Sequence, residues 1–187
     1  MTCKINLRHQ AANAIYAFGI FAGYVLLYRL NDILVGNTAF GGVASILFLP
    51  AFMRLLGFLI IGPLTFLPLF FAALICVDLG LGAVEQIIVA LALASGSQIA
   101  LVFANRTSGL QPSLVNLTAG RLLLLSFASA VGSSAAYNGA LILVGYANAS
   151  VYTTAIALVG DALGTWAAIY ALKTLLTIVG RLILRSS

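Results

Sequence analysis

QIIVALALASGSQIALVFA, residues 86–104, contains no charged side chain, and its only large polar groups are Gln86 and Gln98. A run of about 20 apolar residues is long enough, as an α-helix rising 1.5 Å per residue, to cross the hydrocarbon core of a bilayer. Similar runs lie on both sides, separated by charge, Gly, Pro and Asn, near residues 11–29, 39–61, 63–79, 121–146 and 151–178. The pattern predicts an all-α, polytopic integral membrane bundle of about six transmembrane helices, forming one domain over 1–187. Pro50 removes a backbone donor, so the second span is expected to break there. At Gly62 and Pro63 the turn is so short that the flanking runs read either as two spans or as one kinked or re-entrant unit.

The whole chain agrees with this reading. Of 187 residues, 63% are hydrophobic and 7% charged, whereas a soluble domain carries about a quarter charged residues. The lipid bilayer is therefore the expected surroundings. The net charge of +5, from nine Lys/Arg against four acids, comes from span ends and forms no basic patch, so nucleic acid is not an expected partner.

Charge also sets the expected orientation. With six spans, Lys4, Arg8, Arg106, Arg121, Arg181 and Arg185 fall on one side, and Arg29, Asp32, Asp78 and Glu85 on the other. Positive residues are retained in the cytoplasm, which implies cytoplasmic termini, here in a bacterial inner membrane. The first apolar run follows Lys4, Arg8 and His9 like the start of a secretory signal, but it is too long and lacks a small-x-small cleavage site, so it reads as a retained span. Asn105, Asn116 and Asn148 each open an Asn-x-Ser/Thr triplet, a pattern common by chance. Glycosylation is not expected.

Catalytic chemistry is poorly supplied. The single histidine, His9, precedes the first span, so neither a histidine zinc site nor a Ser/His/Asp triad can form in the membrane. Cys3 and Cys76 show no CxxC spacing, and no phosphate loop, dinucleotide fingerprint or haem attachment motif is present. The sequence predicts a protein that is not an enzyme, with no cofactor and no metal.

The informative residues are the polar ones inside apolar runs, because an intramembrane charge is costly unless paired or lining a cavity. Asp161 lies ten residues into the last span, about 15 Å deep. Arg54 follows Pro50 by four residues, and a pair between the two would neutralise both. Each has a plainer reading as well, Asp161 as a packing acid and Arg54 as a base reaching the interface. Small and polar residues at 94–98 and 126–139 suit close helix contact. Within them Gln98 and Asn138 are large enough to line a pocket.

Two segments, Leu47-Phe48-Leu49-Pro50-Ala51-Phe52-Met53-Arg54-Leu55 and Leu158-Val159-Gly160-Asp161-Ala162-Leu163-Gly164, resemble the proline motif and the Gly-Asp-Ala-Leu-Gly motif of the membrane-associated sensor (MASE) domains of bacterial signalling proteins. The resemblance implies a multi-span sensor module. It departs from the family in having one proline where two are common, with Phe52 and Arg54 nearby, and in ending at Ser187 without an output domain. The expectation is a stand-alone, sensor-like protein that binds a small-molecule ligand or a partner membrane protein through a polar centre. Asp161 leads that centre with Arg54 as counter-charge, Pro50 and Gly160 shape the backbone, and Gln98 and Asn138 add polar contacts. A small transporter, or the substrate-binding subunit of one, and a structural subunit of a larger membrane complex remain alternatives.

Overall fold

The structure is a computed structural model that describes residues 2–35, 44–108 and 117–186, with side chains described between 11 and 179. Cys3, Lys4, Arg8, His9, Asn116, Arg181 and Arg185, singled out above for charge or chemistry, have side chains outside the described residues.

The described residues form six helices: α1 (Thr2–Val35), α2 (Ala51–Ile61), α3 (Phe66–Cys76), α4 (Ala83–Ser108), α5 (Ala119–Leu143) and α6 (Val151–Ser186). A four-residue 3-10 turn, Gly62–Thr65, joins α2 to α3. Five stretches are long and apolar enough to cross a membrane: Ala11–Val35, Ala51–Cys76, Ala83–Thr107, Ala119–Leu143 and Val151–Val179. The expected count of six is corrected to five. The runs at 39–61 and 63–79 do not make two full helices, because the backbone from Ala44 to Pro50 is not helical and the remainder is one apolar stretch with a turn inside it.

That stretch is not a straight crossing. A Cβ on Gly57 would lie 2.4 Å from Thr65 Cγ2, although residues eight apart in a straight helix are separated by about 12 Å. Gly62 makes the reversal possible with φ 64, a conformation that side chains with a Cβ rarely adopt. The contacts of α1 show the same reversal. Gly23 abuts Met53 and Ile20 approaches Gly57, so α1 and α2 run antiparallel. Ile20 and Tyr24 also pack with Leu69, Ala72 and Cys76, and Tyr28 with Ala73 and Val77, so α3 runs parallel to α1.

The remaining helices alternate in direction. Gly96 packs on Gly132, and Val89 on Tyr137 and Leu141, which makes α4 and α5 antiparallel. Asn138, Ser133 and Ser126 bond Thr153, Asp161 and Trp166 in turn, which makes α5 and α6 antiparallel. Consequently the late part of α1, the 77–82 connection and the 144–150 connection share one end of the bundle. The start of α1 and the end of α6 point to the other. Side chains such as Ile15, Phe18, Leu26, Phe103 and Leu143 face outward, as a lipid-facing surface requires.

Candidate functional site

The site begins with a stretch of chain that cannot be helical. Pro50 lacks an N–H and disfavours helix in the residue before it, and from Ala44 onward the backbone lies across α6. Gly160 and Gly164, one turn apart, make the groove that receives it. A Cβ on Gly160 would lie 1.9 Å from the Ser45 carbonyl oxygen, and one on Gly164 2.1 Å from that of Phe48. No other residue type leaves that space.

An unwound chain at membrane depth must satisfy its own polar groups. The Phe48 N–H donates to the Gly160 carbonyl at 3.0 Å, and the Leu49 N–H donates to the buried Asn31 side-chain oxygen at 3.1 Å. Pro50 has no N–H to place. The Ala51, Phe52 and Met53 N–H groups then donate to the carbonyls of Phe48, Leu49 and Pro50, which starts α2.

The first turn of α2 carries Arg54, whose Nη1 lies 2.5 Å from Asp161 Oδ2. The two side chains are 2% and 9% exposed, and this is the single ion pair among the described residues. Ser133 of α5 donates its hydroxyl to the same carboxylate oxygen. The Asp161 backbone carbonyl takes the Thr165 hydroxyl at 2.8 Å. Above the guanidinium the Phe48 ring centre is 5.2 Å away, a cation–π contact, and the Tyr28 ring meets Phe48 edge-on at 6.1 Å. The buried Tyr24 hydroxyl lies beside Arg54, short of a well-formed hydrogen bond. Two segments distant in sequence, α2 and α5, therefore converge on one carboxylate of α6. Desolvating two charges is costly, so the pair is better read as fixing the geometry of α2 on α6 than as a source of stability.

This polar centre lies in the wall of a cavity of about 150 Å³. Arg54, Asp161, Ser133 and Ser134 line it together with Tyr28, Phe48 and Tyr137, and Asp32 and Asp78 belong to the end of the bundle where the 77–82 connection lies. The Ser134 hydroxyl is buried and has no hydrogen-bond partner among the described residues.

The residues singled out from the sequence divide into three groups. Asp161 and Arg54 meet and line the cavity. Pro50 and Gly160 border the unwound chain, Pro50 by starting α2 and Gly160 by accepting its backbone. Gln98 and Asn138 are not brought to the cavity. Asn138 donates to the Ser134 carbonyl at 3.1 Å and accepts the Thr153 hydroxyl at 3.1 Å, which ties α5 to the start of α6. Gln98 is buried, and neither polar atom of its amide has a partner among the described residues.

From the sequence Ser133 reads as a helix-contact residue and Asp32 and Asp78 as charges at span ends, and neither Tyr28 nor Asn31 is singled out. A signal for α1 did exist. Tyr24, Tyr28 and Asn31 recur at i, i+4 and i+7, a polar stripe on one helix face.

Comparison with family models, with curated proteins and with solved structures finds no match for this chain. The fold and the site therefore rest on their own geometry.

Proposed function

We propose that this chain is a sensor-like membrane protein whose cavity takes a small ligand and whose response passes through α6. The observation that carries this reading is the coincidence of the cavity, the ion pair and the unwound stretch. A molecule in the cavity touches Ser45 and Phe48, which are seated on α6, and Asp161, which belongs to α6. Ligand contact in one position of that stretch and not another shifts the population between them, which is all that signalling requires. Beyond the packed part of the bundle α6 continues with exposed residues from 171 to 179, so a movement at Asp161 is available to a partner at the far end. With the Lys/Arg-rich end cytoplasmic, the termini lie in the bacterial cytoplasm and the cavity faces the opposite side.

Two measurements test this. Ala157 lines the cavity without making a polar contact there, so Ala157→Phe fills the space and leaves the ion pair intact. Full-length protein, purified gently and examined by mass spectrometry, should retain a small molecule that Ala157→Phe loses while its melting behaviour is kept. Equal retention by both forms would refute the cavity as the binding site. Reporter fusions should place both termini in the cytoplasm, and opposite locations would overturn the orientation.

A transporter is the second reading, and α2 favours it, because a helix that starts inside the bundle after unwound backbone is a recurring feature of solute sites. Accumulation of solute in vesicles holding the protein would select that reading over the sensor.

A further inference from the structure

We infer that the cavity is selective for a small organic cation, an alkylammonium or quaternary ammonium, a specification that rests on the ligand-binding reading above. The chain has four acidic residues among 187, and three of them, Asp32, Asp78 and Asp161, line this one cavity. Its only basic lining residue, Arg54, is already paired with Asp161. Asp78 therefore has no base beside it in the wall, and Asp32 has only the exposed Arg29 three residues earlier on α1, so the lining keeps a net negative charge. Asp32 makes neither an ion pair nor a hydrogen bond among the described residues, and Asp78 accepts only the Gly80 N–H at 3.0 Å. Arg29, the nearest other base on α1, is exposed and outside the lining.

The kind of cation follows from the rest of the wall. No group of three or more acidic, His or Cys side chains among the described residues is close enough to hold a metal ion, so the carboxylates act as a field and not as a ligand cage. Tyr28 and Tyr137 add aromatic rings to the lining, while Phe48 already carries Arg54. Rings beside carboxylates are the chemistry that recognises alkylated ammonium groups. The Ser134 hydroxyl, 2% exposed and unpartnered, offers a hydrogen bond to a polar group at the other end of such a molecule. Size agrees too, since a cavity of about 150 Å³ accommodates a molecule as large as benzene.

The test compares three probes of one shape and different charge: choline, the neutral 3,3-dimethyl-1-butanol and the anionic 3,3-dimethylbutanoate. Titration calorimetry uses the full-length protein in maltoside micelles, which carry no ammonium group to compete. Choline should bind about tenfold or more tightly than the neutral isostere, and added salt should weaken it. In the double variant Asp32→Asn, Asp78→Asn that preference should shrink to about the level of the neutral probe, because both residues sit at the surface and their loss leaves the Arg54 pair in place. Neutral or anionic binding as tight as that of choline would overturn the cation class. If such binding is also abolished by Ala157→Phe, the cavity remains a ligand site with another specificity. Absence of binding by all three probes, with retention of the co-purified molecule unaffected by Ala157→Phe, would overturn both readings.

Discussion

The α4–α5 pair and the α2–α6 contact solve the same problem, close approach of two backbones inside the membrane, in opposite ways. In α4–α5, small residues do the work: a Cβ on Gly96 would lie 2.4 Å from the Gly132 carbonyl oxygen and 2.3 Å from Ala136 Cβ. Both helices keep their own hydrogen bonds, and the pair needs no polar exchange to hold it. In α2–α6 the glycines Gly160 and Gly164 face a chain that has lost its helical bonds, and the missing partners come from Gly160, Asn31 and the Arg54–Asp161–Ser133 centre. The first contact is self-sufficient and suits scaffolding. The second depends on particular groups, so a ligand touching those groups can alter it.

The sharpest way to break this contrast is to remove one charge from the dependent side. Arg54→Ala strands the buried Asp161 carboxylate and should cost about 3–5 kcal/mol. Replacing both charges together, Arg54→Met with Asp161→Leu, should recover much of that loss, because no unpaired charge remains. Reversible unfolding in mixed micelles, run as a double-mutant cycle, measures both. Strict additivity would mean that the two residues do not compensate each other.

The smallest effect is expected at a buried amide away from both contacts. Gln98 lies between Ala94 and Leu101 on one face of α4, with both amide atoms buried and unpartnered among the described residues. Gln98→Leu keeps a similar size and removes the unsatisfied groups, so stability should stay within about 1 kcal/mol of the parent or rise. A loss as large as that of Arg54→Ala would show that the amide has a polar task.

The sequence disclosed the charged pair more readily than the path of the chain. Arg54 and Asp161 stood out because charge in an apolar run is rare and costly, and the cost itself points to a partner. Hydropathy, by contrast, records only which solvent a segment prefers. It cannot separate helix from unwound backbone at 44–50, and it reads the doubled-back unit of α2 and α3 as one run or two according to where the turn is placed. Gly160 was visible as part of a motif, but its role as the floor under Ser45 needed the folded chain. Asn31 lay unnoticed near the end of a span, where an amide is unremarkable. Gln98 and Asn138 share the composition of pocket residues, but Gln98 lies outside the lining and Asn138, one turn from Ser134, is held by its bonds to Ser134 and Thr153.

Arg54 and Asp161 are 107 residues apart in sequence, and that separation governs the order in which the protein can be made. During synthesis the arginine leaves the ribosome long before its carboxylate does. Until α6 is inserted, α2 carries an uncompensated cation, and the 44–50 stretch has no Gly160 carbonyl to accept its Phe48 N–H. Closing so long a loop is slow compared with local helix formation. The α4–α5 pair, joined by a short connection, can assemble ahead of it. It is thus α6, which follows the other five helices in the chain, that completes the site.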